Sequence, residues 1–210
     1  MTTIIDFSQA QKMEAQENLN AFISKNKNNF IFPDNNWDDN IWNITKFLKN
    51  KIIDTKSKKV YFRSVRDNSL SKSSINISIS EPLVDFAKAM FCEIMRVKKL
   101  SEFRRIIYAI QALEFALLEQ KVSVCITEID VETLNLAESY LRSTYKDPWS
   151  IAKNLESIIN NIVIQKQLNT KIYNWSTTIP YIAPVRNDRT QKEHVESSKS
   201  KIPHLEEILA

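Results

Sequence analysis

Only two histidines occur in the chain of 210 residues, His194 and His204, and the usual routes to hydrolytic or metal chemistry narrow with them. A nucleophile needs a base held against it, and a zinc site needs several converging ligands. Neither histidine has a second histidine or a cysteine nearby, and both lie in a charged tail punctuated by proline. Exposed side chains with no shared task describe them better than a catalytic pair does. The carboxylate pairs Asp38-Asp39 and Glu206-Glu207 would suit general acid–base work, yet solvation and the helix dipole account for them at helix starts and on charged helix surfaces. Cys92 and Cys125 each sit in an apolar pattern, as reduced, buried thiols of a cytoplasmic protein do. Glycine is absent altogether. A Walker loop or dinucleotide fingerprint needs glycine where backbone closely approaches phosphate, so both are excluded. Helix C-caps and tight turns must then lean on asparagine, the next best residue for a left-handed backbone. No catalytic constellation, metal site, cofactor site or small-molecule substrate site emerges, and the chain reads as a binding module without chemistry of its own.

What remains is charge and where it lies. The formal net charge is only +4, but residues 55–80 carry six basic groups (Lys56, Lys58, Lys59, Arg63, Arg66 and Lys72) against one acidic group. A local basic patch points to a polyanion, although a solvated basic loop explains it as well. A second concentration opens the second helix of the later bundle. There Ser101, Arg104, Tyr108 and Gln111 fall at i, i+3, i+7 and i+10, opposite the apolar face, with Arg105 beside them and Lys98 and Lys99 ahead. Two arginines in a first turn oppose the helix dipole, at about 0.3–1 kcal/mol each when exposed. A docked phosphate reverses the sign of that effect. On the fourth helix, Ser150, Lys153, Asn154, Ser157 and Asn161 form a polar face without a carboxylate, rich in groups that bond phosphates and base edges.

The elements that must position these groups are mostly helical. Residues 8–27 predict a leading helix ended by Asn26 to Asn29, and Pro33 to Asn36 a turn. Trp37, Ile41, Ile44 and Leu48 then fall on one helical stripe, with the tryptophans as core anchors. Val60-Tyr61-Phe62 and the alternating run Ile75 to Ile79 lean towards strand, and the polar stretch between Asp67 and Ser74 closes a small hairpin. From Glu81 four helices follow. The first carries Leu83, Phe86, Ala87, Met90, Ile94 and Val97 on its apolar face. The second, capped by Ser101, carries Phe103, Ile106, Ile107, Ile110, Leu113 and Leu117. Asp130 caps the third, with Leu134, Ala137 and Leu141, and Asp147-Pro148 opens the fourth, with Ile151, Leu155, Ile158, Ile159 and Ile162. The organisation predicted is a helical region with a short β-hairpin over 1–80, a four-helix bundle over 81–170 and an extended linker over 171–210. No apolar run reaches the roughly 18 residues of a membrane span, and the N-terminus lacks a secretory signal. The last residues, Leu205 to Ala210, read as the opening turns of another helix, which leads us to expect a longer natural protein.

The order of elements resembles the core-binding domain of tyrosine recombinases, the phage-integrase family, over residues 83–168. The resemblance rests on Phe86-Ala87-Lys88-Ala89, on Ser101-Glu102-Phe103-Arg104-Arg105 followed by Ile110-Gln111-Ala112-Leu113-Glu114, and on the aspartate-led third and fourth helices. Phe32-Pro33-Asp34 to Trp42 and Val60-Tyr61-Phe62 are similar to the N-terminal region of a larger integrase subgroup. Trp175 to Pro180 and Lys201-Ile202-Pro203 to Leu209 are similar to its passage into a catalytic domain. The resemblance implies a mainly α chain that holds one side of duplex DNA, with Lys98, Lys99, Arg104 and Arg105 on DNA at the second helix and Lys153 with Asn154 at the fourth. It implies DNA integration and recombination as the task, and copies of the chain associating with one another on that DNA. The family's chemistry uses an arginine, a lysine, a His-x-x-Arg motif and a tyrosine. His194-Val195-Glu196-Ser197 departs from that motif, and no domain-sized stretch remains for the rest. The expected role is the DNA-binding portion of a recombinase, with Lys58, Lys59 and Arg63 adding basic contacts. The alternative is a helical module that binds another protein.

Overall fold

The structure, a computed structural model, describes residues 7–48, 58–63, 65–67, 72, 75–98 and 104–182. These residues are mainly helical. In chain order they form α1 (Phe7–Asn28), β1 (Ile41–Asn43), α2 (Thr45–Leu48), β2 (Lys59–Tyr61), β3 (Val65–Asp67), β4 (Ile75–Ile77), α3 (Leu83–Lys98), α4 (Arg104–Glu119), α5 (Val131–Thr144), α6 (Pro148–Ile159) and α7 (Ile162–Gln165), with a 3-10 turn at Ile126–Glu128. β1 pairs antiparallel with β2, and β3 with β4. The chain divides into two compact units after Ile179.

α4 is the centre. It packs against α3, α5 and α6, while α1 lies on α3. From Ile106 to Leu117 every residue of α4 except Phe115 is buried. That explains why its apolar face, read from Ile106, Ile107, Ile110, Leu113 and Leu117, is only part of what the helix hides. The core runs on from there without a break: Leu19 and Phe22 of α1, Trp42 and Val60 of the first sheet, and Leu134, Leu155 and Ile179 belong to one cluster.

The helix ends are built as the residue types require. Asp130 accepts a hydrogen bond from the Thr133 backbone N–H and Thr133 answers with its side chain, a full capping box for α5. Asp147 caps α6 by accepting from the Ser150 N–H, with Pro148 in the first turn. α4 ends in a Schellman arrangement: Val122 N–H donates to the Leu117 carbonyl and Lys121 N–H to that of Leu118, with Lys121 left-handed at φ 59°. Among the described residues the left-handed positions are Lys121 and Asn174, the latter at φ 55°. The expected reliance on asparagine holds at Asn174 and not at the C-terminus of α4.

Three sequence expectations are corrected. Residues 37–48 are not one helix but a turn, the strand β1 and the short α2. Trp42 and Ile44 are buried while Ile41 and Asn43 are exposed, a period of two, because Trp42 lies opposite Val60 in the β1–β2 ladder. Asn43 Oδ1 then accepts from the Thr45 N–H and starts the short α2. The strand at Val60 therefore pairs backwards with β1, and the hairpin instead joins β3 to β4. Val97 and Ile162 are not core: they are 77% and 76% exposed. Val97 lies in the last turn of α3, and Asn160 ends α6 before Ile162 can join its buried face.

The tryptophans do anchor the core. Trp42 is fully buried, with ring centroids 4.7 Å from Phe62, 4.8 Å from Phe30 and 5.5 Å from Phe32. The buried Lys88 ammonium lies 5.9 Å from the Trp42 ring centroid and 5.7 Å from that of Phe62, and donates to the Trp37 carbonyl at 2.6 Å. Burial pulls its pKa below the ordinary lysine range, against the opposing charges of Asp85 and Asp38. Trp37 Nε1–H in turn donates to Asp85 at 3.0 Å. Truncating Trp42→Ala removes the ring that joins α3 to the first sheet and should cost about 3–5 kcal/mol in urea unfolding. A loss below about 1 kcal/mol would show that the first sheet does not share the core's cooperativity.

Candidate nucleic-acid interface

Three helix ends meet where the polar groups of α4 finally reach solvent. Arg104 and Arg105 open α4, and Arg105 Nη2 lies 3.1 Å from the Asp147 carboxylate that caps α6. Between α5 and α6, Lys146 is exposed, and Arg142 is exposed in the last turn of α5. The basic segment at 55–80 joins them through one residue. Lys72 donates its backbone N–H to the Thr144 carbonyl and its ammonium to the Arg142 carbonyl, both at 3.0 Å. A lysine on the carbonyls of a helix C-terminus is favourable in itself, because the dipole is negative there. Its consequence is to bring one cation from a sequence-distant segment, Lys72, to the helix ends that already hold Arg104, Arg105, Arg142 and Lys146. Among the described residues, Asp147 is a carboxylate paired there.

The strap that follows α7 limits the corner on one side. Trp175 and Asn160 exchange two hydrogen bonds, and Ile172 and Ile179 are buried. Two carboxylates hold the strap's consecutive N–H groups: Glu156 accepts from Thr177 at 3.0 Å and Glu138 from Thr178 at 2.8 Å. Thr178 Oγ1 also donates to Glu138 and accepts from Arg142 at 3.0 Å. The first residues of the expected linker are thus docked on α5 and α6, although they have no regular secondary structure. For Glu156, burial alone would raise the pKa. Hydrogen bonds from Lys153 and Thr177 outweigh it and hold the carboxyl below its ordinary range.

The sequence-predicted residues fare unevenly. Arg104 and Arg105 stand at the corner, half-buried. Tyr108, expected on a wet face, is only 1% exposed, and Gln111 is buried, accepting from the Tyr145 hydroxyl at 3.2 Å. The face opposite the apolar stripe is covered because α4 is surrounded by α3, α5 and α6, which removes Tyr108 from any surface. Lys153 is exposed on α6 but paired with Glu156 at 2.6 Å, so the face expected to lack a carboxylate has one reaching into it. Asn154 is turned back to the Ser150 carbonyl at 2.8 Å. Arg63 is engaged by Glu81 and the Ile79 carbonyl. Lys59 is exposed on β2 and Lys58 is half-buried beside Thr45. Lys98 closes α3; Lys99 and Ser101 lie outside the described residues, as do His194 and His204.

No family model, curated protein or solved structure matches this chain. The likeness to tyrosine recombinases therefore rests on its sequence motifs.

Sequence reasoning passed over Arg142 and Lys146, though both shortly precede the Asp147-Pro148 start signal, and it counted Lys72 without giving it a place. Among the described residues, no group of three or more His, Cys, Asp or Glu side chains could hold a metal ion, and no helix is long and apolar enough to cross a membrane. Both cysteines are buried and free; burial pushes the Cys92 thiol up to about 12, so it stays protonated.

Because the Glu156 carboxyl is held low, its stabilisation is complete above the ordinary carboxylate range and lost as pH falls through the depressed value. Glu156→Gln should therefore lower the melting temperature at neutral pH and flatten the acid limb, the two proteins converging as pH falls below the depressed value. Parallel melting curves for variant and wild type over that range would contradict the strap's attachment.

Proposed function

We propose that this chain grips duplex DNA, as the DNA-binding portion of a cytoplasmic site-specific tyrosine recombinase engaged in DNA integration. In this reading α3, α4, α5 and α6 are the four helices of the core-binding bundle, and the strand-cutting chemistry belongs to another part of the recombinase. The observation that carries it is the seat of Lys72 on the C-terminus of α5, which adds a cation from a distant part of the chain to Arg104, Arg105, Arg142 and Lys146. Long cations gathered at a junction of helix ends suit a phosphate backbone, which demands charge and reach more than a deep pocket. The sequence motifs shared with the recombinase family supply the biological direction.

A protein partner is the second reading, and it has an observation of its own. Phe115 and Leu118, at i and i+3 near the far end of α4, and Val122 just beyond it are 37%, 57% and 41% exposed. Phe115 stacks on Tyr140 at 4.4 Å, which extends the apolar surface onto α5.

Binding of a short, mixed-sequence DNA duplex, followed by fluorescence anisotropy across a salt series, separates the two. The DNA reading predicts a linear fall of log affinity with log salt, about 0.9 per phosphate neutralised. Arg104→Glu with Lys146→Glu should weaken binding at least about tenfold and take about two contacts from that slope, with helicity unchanged. Equal affinity in the double variant would remove the corner from the interface, and absence of duplex binding by the wild type would leave the protein-partner reading.

A further inference from the structure

We infer that Asp147 is a built-in competitor for the phosphate backbone, an internal anion that occupies Arg105 and sets how tightly the cationic corner binds DNA. The inference rests on the DNA-binding reading and concerns its regulation.

The argument begins with the two tasks of one side chain. Asp147 Oδ1 caps α6 by accepting from the Ser150 N–H at 3.2 Å, while Oδ2 lies 3.1 Å from Arg105 Nη2. The cap needs an oxygen and not a charge: serine and asparagine cap helices about as well as aspartate. The cap therefore survives without the charge, which acts on Arg105 and what surrounds it. Arg105 is paired with it, Lys146 precedes it in the chain, Arg104 adjoins Arg105, and Lys72 with Arg142 stands at the α5 C-terminus just before it, all of one sign. A carboxylate at this place lowers the local positive potential where a phosphate would dock.

The pair is also accessible enough to exchange. The side chains of Arg105 and Asp147 are 24% and 42% exposed, so the carboxylate faces solvent on one side and a phosphate can approach the guanidinium without unfolding anything. An ion pair at that exposure is weak, so an incoming dianionic stretch of backbone displaces it at modest cost. Contrast Glu138, which is 5% exposed and holds two strap threonines. Removing that carboxylate would unfasten the strap, whereas removing the charge of Asp147 while keeping its oxygen leaves the α6 cap in place.

The variant that separates the two tasks is Asp147→Ser, which keeps a capping oxygen and is too short to reach Arg105. Its control is Glu119→Gln, an exposed carboxylate at the opposite end of α4 that changes net charge equally. With the same duplex and anisotropy series, Asp147→Ser should bind about three- to tenfold tighter than wild type at moderate salt, and its log–log salt slope should steepen by up to about 0.9, one further phosphate. Glu119→Gln should change affinity less than about twofold. Equal gains in Asp147→Ser and Glu119→Gln would overturn the inference, because net charge alone would then explain the effect, while duplex binding by the wild type would still uphold the DNA reading. No duplex binding by wild type or either variant would overturn both. Should Asp147→Ser melt well below wild type, Asp147→Asn repeats the test with an isosteric cap, and an affinity equal to that of wild type would count against the competitor role.

Discussion

Burying one helix on nearly every side forces each polar group along it to find a partner inside the protein, and α4 is such a helix. Glu114, 6% exposed, accepts from the Ser80 backbone N–H and hydroxyl, which ties the segment before α3 onto the middle of α4. Gln111 accepts from Tyr145, the residue that closes α5, and the rings of Tyr108 and Tyr145 are 5.1 Å apart. The polar residues that look like a binding face in sequence are thus the joints of the interior. Only the two ends of α4 remain for solvent, one cationic and one apolar, and any partner must meet this helix at an end.

The cationic end gathers three helix termini of different sign. At the α5 C-terminus the dipole welcomes Arg142 and the Lys72 ammonium, and at the α6 N-terminus it welcomes Asp147. Only Arg104 and Arg105 stand at an unfavourable end, the N-terminus of α4. The Asp147 carboxylate offsets part of that cost by serving α6 and Arg105 together. Placing α6 immediately after α5, with two residues between Tyr145 and Pro148, is what brings the anion within reach. The local stabilisation of the corner and its affinity for an outside anion thus draw on the same side chain.

Much of the fold is legible in the chain because the signals are local. Asp130 with Thr133, and Asp147 with Pro148, mark helix starts by the chemistry of a side chain three residues from its partner, and both are found where the residues predict. The leading helix and the buried stripe of α4 follow from spacing alone. The misreadings share a cause, which is that tertiary contact chose between two acceptable local patterns. Trp37, Ile41, Ile44 and Leu48 fit a helical stripe, but Trp42 and Ile44 also fit a period of two, and the partner strand at Val60 decided for the latter. Tyr108 and Gln111 were read as wet because spacing shows which residues share a face and cannot show that a second helix covers that face. For the site, the arginines at 104 and 105 were visible, while Lys72 could be placed only through a contact with Arg142, seventy positions away.

The lack of glycine reaches further than turn geometry. Proteins that hold phosphate on backbone amides need close approach, which a Cβ obstructs, so this chain must meet an anion with side chains or helix ends. Its left-handed backbone positions show the same constraint, Lys121 and Asn174 adopting a conformation that costs a residue with a Cβ roughly 1–2 kcal/mol. Side-chain recognition differs physically from a backbone cradle. An amide nest is fixed and has no internal rival, whereas a guanidinium on a long stem takes whichever anion is nearest. Arg105 with Asp147, Lys153 with Glu156 and Arg63 with Glu81 are each engaged by a carboxylate of the chain itself. A surface of this kind binds an outside polyanion by exchange, and its affinity is set by the carboxylates it must give up as much as by the cations it presents.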